Sequence, residues 1–230
     1  MSLAQSLRRD AEPIYQAIRF HPFVEAIAQG DLSPEAAVFY VQQDVRYLTT
    51  YAQVFALAIS QAENLTQMKR LADRMRVLLE GELLPHVSLC RAAGVSYEDL
   101  KRTLPSQAPV AHHYAQHMMA SSTHGVLSET IAAALPCHWV YADLGRDLMQ
   151  AVRPRDNHPF YDWIAFYADS SMRDGLDQLC GLLDESARGA QHEAIARAFH
   201  ESFRMEYLFF DMAWGQQEWD MLVPPKGPRV

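Results

Sequence analysis

Apolar residues recur at three- and four-residue spacings along nearly the whole chain, and no segment alternates apolar with polar residues between hairpin signals. A 3.6-residue period buries one stripe of a helix whereas a strand needs a period of two, so the fold class is all-α. The punctuation agrees. The first helix runs to about Phe20; His21 and Pro22 open a short one that stops at Gly30, and Ser33 with Pro34 supplies a cap and a first-turn proline for a long helix ending near Gln61. Asn64 can cap a third long helix that ends at Gly94, and the looser stretch from Val95 to Pro109 carries one short helix, YEDLKRT. A helix from about Val110 to Ser122 precedes the apolar run VLSETIAAALPCHWVYADLGRDLMQAV, which ends before the turn-rich RPRDNHP. Pro159 starts the next helix, Asp169 to Ser171 separates it from another ending near Gly189, and the last runs from about Gln191 to Gln217.

At 230 residues, with no internal repeat, linker or low-complexity segment, the chain reads as one helical domain over 1–220 followed by an irregular tail, 221–230. The formal charge of -8 and the lack of any Lys/Arg-rich run remove the phosphate-neutralising patch that nucleic-acid binding needs. Three cysteines, Cys90, Cys137 and Cys180, form no CxxC pair and leave an odd count, which points away from a disulfide framework and towards a reducing compartment. No apolar stretch reaches the roughly 18 to 20 residues that span a bilayer, and MSLAQSLRRDAEPIY lacks the apolar middle of a signal peptide. A cytoplasmic location, with no membrane partner, is the expectation.

Function is to be sought where polar groups interrupt apolar faces. Tyr40, Asp44, Tyr47 and Tyr51 stand at i, i+4, i+7 and i+11, which sets one carboxylate in a tyrosine stripe. Phe199, Phe203, Glu206 and Phe210 repeat that spacing in the last helix. A carboxylate withdrawn from water must be hydrogen-bonded, paired or neutralised. A structural aspartate satisfied by a tyrosine or arginine, and a glutamate in a buried salt bridge to a residue such as Arg46, are the plain readings; two such carboxylates raise the prospect of a site. Cys137 follows Pro136 within an apolar helix, with Tyr141 one turn on. The proline removes a helical donor and predicts a local distortion beside the thiol. Cys90 and Cys180 lack that context and read as inert packing groups. Tyr114 and Tyr167 bring further rings with polar tips to apolar faces, the kind of lining that suits a small planar ligand.

The motifs VQQDVRYL, YAQHM, LPCHWVY, WIAFYADSS and MEYLFFDMAW, in this order and at these separations, resemble those of the TenA/thiaminase II family over nearly the whole chain. The resemblance implies a haem-oxygenase-like helical bundle, usually a homotetramer, with no cofactor. It implies hydrolysis of the C–N bond at the exocyclic methylene of a 4-amino-2-methylpyrimidine, either the aminomethyl compound formed by thiamin breakdown or thiamin itself. On matching positions Cys137 is the nucleophile, Asp44 binds the ring's amino group, Glu206 is the acid/base, and Tyr47, Tyr114, Tyr141 and Tyr167 are pocket aromatics. One departure is visible: Phe209-Phe210 stands where members commonly carry Phe-Trp.

These residue types suit that chemistry. An electron-poor pyrimidine accepts a thiolate at a ring carbon, which makes the exocyclic group expellable, and a glutamate with a raised pKa can protonate a ring nitrogen. An anionic Asp44 beside Cys137 would oppose thiolate formation, so either Asp44 hydrogen-bonds chiefly to substrate or helix-end dipoles compensate. No step requires a metal. Two other readings stand beside this one: a metal-dependent oxidase on a helical scaffold, suggested by His113 and His117 at i, i+4 but without a Glu-x-x-His pair, and a non-catalytic regulator that only binds a pyrimidine.

Overall fold

The computed structural model describes residues 1–81 and 83–219, and these residues form helices without a strand. The expected tail, 221–230, lies outside the described residues. In order the helices are α1 (Leu3–Asp10), α2 (Glu12–Arg19), α3 (Pro22–Gln29), α4 (Pro34–Gln61), α5 (Leu65–Gly81), α6 (Leu83–Ala92), α7 (Tyr97–Arg102), α8 (Pro109–Thr123), α9 (Leu127–Val152), α10 (Tyr161–Ala168), α11 (Ser170–Ser186) and α12 (His192–Gly215), with a 3-10 turn at Gly189–Gln191. None is long and apolar enough to cross a membrane.

The expected caps are in place. His21 Nδ1 accepts from the Phe23 N–H, Ser33 Oγ from Ala36, and Asn64 Oδ1 from Gln67. Asp169 is extended and accepts from Ser171, so it closes α10 and caps α11 in one residue.

Several boundaries differ from the sequence reading. The first helix divides at buried Ala11, because Pro13 in the first turn of α2 has no N–H to continue the ladder. The run from Asn64 to Gly94, expected as one helix, is helical on both sides of position 82, which lies outside the described residues: α5 packs on α4 and α11, whereas α6 packs on α4, α7 and α10. The helix expected from Pro159 starts at Tyr161, its successor stops at Ser186 where Ala187 turns extended, and α12 ends at Gly215 because Gln216 takes a left-handed conformation at φ 49°.

Helix α9 is the centre of the bundle, packed by α12, α10, α11, α8, α4 and α3. Every residue from Thr130 to Gly145 is buried, which matches a segment apolar on all sides. It runs on through Pro136. Carbonyls of the preceding turn receive bonds from other helices: Ser202 donates to Ala133 at 2.7 Å and Tyr51 to Ala134 at 3.0 Å. These tie α12 and α4 to the turn that carries Cys137. Gly145 lets α10 cross closely, since a Cβ there would stand 2.2 Å from the Tyr167 carbonyl carbon. That crossing sets the Tyr167 ring against Tyr141, one turn before the glycine, with ring centres 4.8 Å apart.

Candidate active site

Four helices converge on a small, narrow cavity. Helix α4 supplies Asp44, Leu48 and Tyr51, α9 supplies Cys137, His138 and Tyr141, and Tyr167 of α10 and Met172 of α11 complete the wall. Among the residues singled out in the sequence, Asp44, Cys137, Tyr141 and Tyr167 therefore share this lining. Glu206, Tyr114 and Tyr47 do not line it. Each is nearly or fully buried next to Cys137.

From the thiol inward the polar atoms form a chain through Glu206 to Tyr114. Cys137 hydrogen-bonds Glu206, and Tyr114 donates to Glu206 Oε1 at 2.6 Å. Tyr47 lies over Tyr114 with ring centres 4.9 Å apart, and its hydroxyl points to Met118 Sδ at 3.6 Å. Burial is the first cause that raises Glu206, to about 8; the charge of Asp44 adds to it, while the bonds from Tyr114 and Cys137 hold it down. Glu206 is thus raised into the range where a carboxyl group can exchange a proton near neutral pH. Arg46 gives its guanidinium to the Leu104 carbonyl, so it does not form the expected plain salt bridge to Glu206.

On the cavity wall, Asp44 Oδ2 meets His86 Nε2 at 2.7 Å, both side chains being buried. His86 was not singled out in the sequence. The available signal was a histidine inside the apolar run of α6, LLPHVSL, the same interruption that marked Asp44. Tyr141 shares a hydrogen bond with Tyr40, which stacks on Phe210. Tyr40 and Tyr141 are held well above the ordinary phenol range, first by burial and then by the charges of Asp44 and Glu206, so both remain protonated donors. His138 donates its Nε2–H to the Met172 carbonyl at 2.8 Å; burial, then the charge of Arg74, lowers it to about 4, so the ring is neutral with its proton on Nε2.

The histidine pair at 113 and 117 lies elsewhere. His117 bonds the Ala198 carbonyl at 3.1 Å, His113 stands 3.9 Å from Glu201, and the described residues gather no group of three metal-ligating side chains. Phe210, the departure from the family pattern, is fully buried against Phe23, Tyr40 and Tyr141.

Fold and side chains together define an all-helical protein with a small aromatic cavity built around one thiol and two carboxylates. The profile of the TENA/THI-4/PQQC family matches residues 8–216, and the chain belongs to that family. A protein of Halalkalibacterium halodurans named aminopyrimidine aminohydrolase is 34% identical over 96% of this chain and 99% of its own length. Among solved structures, a TenA homologue from P. horikoshii superposes with a TM-score of 0.82 at 28% identity, covering 94% of this chain and 99% of that one. A Shewanella denitrificans domain described as having a heme oxygenase-like fold superposes at 0.71 with 14% identity, covering 92% of each chain, and so shares the fold.

Proposed function

We propose that this chain is an aminopyrimidine aminohydrolase that converts 4-amino-5-aminomethyl-2-methylpyrimidine and water into the hydroxymethyl pyrimidine and ammonia, as a step of thiamin salvage. The observation that carries the reading is the thiol itself: Cys137 opens on an aromatic cavity and hydrogen-bonds a carboxyl group raised to about 8. The name of the 34%-identical relative supports the same activity.

In this reading the ring lies between Tyr141, Tyr167 and Leu48, with its amino group donating to Asp44. Cys137 passes its proton to Glu206 and adds as thiolate to an electron-poor ring carbon. A ring nitrogen gains a proton, the exocyclic C–N bond breaks, and ammonia leaves with the proton it needs. Water then adds to the exposed methylene carbon, the C–S bond breaks, and the ring regains aromaticity while the thiol regains its proton. Glu206 serves first as base and then as acid, which requires a pKa near that of its partners. Tyr114 holds Glu206 in place, and Tyr47 lies over Tyr114.

The protein is taken to work in the cytoplasm as a homotetramer, the assembly that the family resemblance suggests. The small cavity favours one planar ring over a two-ring substrate. Ammonia release and rates measured side by side with the aminomethyl pyrimidine and with thiamin test the proposal. Higher kcat/KM for the aminomethyl compound is expected. A ratio favouring thiamin by tenfold, which is about 1.4 kcal/mol of transition-state stabilisation, overturns the preference, and the absence of turnover with both overturns the activity.

A further inference from the structure

We infer that His86 is a positioning residue that holds Asp44 as the acceptor for the ring's amino group, and so sets the selectivity for 4-aminopyrimidines over rings without that group; this rests on the function proposed above. Asp44 lies on α4 and His86 on α6, 42 positions apart, and their side chains meet at 2.7 Å while both are buried. Among the described residues this is the one hydrogen bond of the Asp44 carboxylate, and it uses Oδ2. The other oxygen remains for a ligand in the cavity that Asp44 lines.

A carboxylate at a cavity wall has two ways to mislead a ligand. It can rotate, or it can take up a proton and present a donor where the amino group needs an acceptor. His86 opposes both. Its Nε2–H donates to Oδ2 whether the ring is neutral or charged, which fixes the carboxylate plane and satisfies the oxygen as an acceptor. The ring is itself held: Tyr97 at the start of α7 lies with its hydroxyl 3.5 Å from Nδ1 and its ring centre 5.7 Å from the imidazole. A site built to bond a substrate N–H rejects the analogue that lacks it, but only while its own acceptor stays oriented and unprotonated.

The test compares two competitive inhibitors without a leaving group, 4-amino-2,5-dimethylpyrimidine and 2,5-dimethylpyrimidine, on the full chain. The variants are His86→Leu, His86→Asn and His86→Gln. Glutamine reaches as far as Nε2 and keeps an N–H for Asp44, whereas asparagine is polar but too short. In the unaltered protein the amino compound should bind at least about tenfold more tightly. That preference should fall to about threefold or less in His86→Leu and His86→Asn and recover in His86→Gln, with KM for the aminomethyl substrate rising more than kcat falls. A purely structural role would lower thermal stability and weaken both inhibitors alike. An unchanged preference in His86→Asn or His86→Leu, or a loss in His86→Gln as full as in His86→Asn, overturns the inference. Failure of the unaltered protein to release ammonia from the aminomethyl pyrimidine is a separate result and overturns the functional reading instead.

Discussion

The two carboxyl groups near Cys137 sit in different surroundings. Glu206 is sealed among Tyr47, Tyr114 and the core, 2% exposed, with burial pushing it to about 8. Asp44 faces a cavity and has an imidazole nitrogen at 2.7 Å. Two carboxyl groups in unlike environments around one thiol are the arrangement by which a site can give them different roles.

The sharpest way to break this picture is to remove the thiol that both carboxyl groups stand near. Cys137→Ser should lower kcat by at least about a thousandfold while leaving folding and pyrimidine affinity nearly unchanged, since a hydroxyl is a far weaker nucleophile of similar volume. Steady-state rates with an inhibitor Kd decide it, and near-normal kcat would end the covalent reading.

Next in size are the carboxylates themselves. Glu206→Gln should reduce kcat by about 10²- to 10⁴-fold, the usual range for lost acid–base catalysis, with little change in KM. Asp44→Asn should harm both parameters, because it disturbs recognition as well as turnover. Equal losses of stability without a kinetic difference would collapse the two carboxyl groups into one structural role. The pH dependence sharpens the point. Glu206 binds its proton more tightly folded, at about 8, than at its ordinary 4.5. Its protonated form therefore contributes stability that is full below about 4.5 and is lost as pH rises through about 8. Thermal melts should show the unaltered protein losing stability relative to Glu206→Gln across that window, and parallel curves would contradict the burial argument.

A smaller effect is expected under Tyr141. Phe210 has no exposed surface and touches Phe23, Tyr40 and Tyr141, so Phe210→Trp, the residue common in the family, should overpack the core by about 1–3 kcal/mol. Chemical denaturation measures it. The shift should reach the cavity first, as raised KM, since Tyr141 lines it and Glu206 does not.

Much of this was legible along the chain. Helical periodicity gave the fold class, and the stripes Tyr40–Tyr51 and Phe199–Phe210 exposed both carboxylates because i, i+4, i+7 positions must share a face. Pro136 marked the turn that other helices hold through Ser202 and Tyr51. What periodicity does not carry is which faces meet. The His86–Asp44 and Tyr40–Tyr141 bonds join residues 42 and 101 positions apart, and they exist only once α6 and α9 have packed on α4. Periodicity likewise does not show that Glu206 bonds Cys137, or that Asp44 lines the cavity beside it. The division at Ala11 was readable from Pro13, but the apolar period runs through it and masked the break.

The smallest effects belong to the other two thiols, which serve as the control for the first. Cys90 is buried in α6 and burial alone pushes it to about 11; Cys180, partly buried in α11, is pushed to about 12 by burial first and then by the charges of Asp177 and Asp184. Neither carries appreciable thiolate near neutrality, and neither lines the cavity of Cys137. Cys90→Ser should cost about 1–2 kcal/mol, because it buries a hydroxyl where a weakly polar sulfur sat. Cys180→Ser should cost less, since its side chain keeps some access to water. Both should leave kcat and KM within about twofold. Thiol labelling near neutral pH should likewise reach Cys137 ahead of Cys90 and Cys180, and the aminopyrimidine inhibitor should protect it. If Cys90 or Cys180 proved the faster-reacting thiol, or its serine variant lost activity as Cys137→Ser does, the contrast between a thiol with a carboxyl partner and thiols that are merely buried would fail.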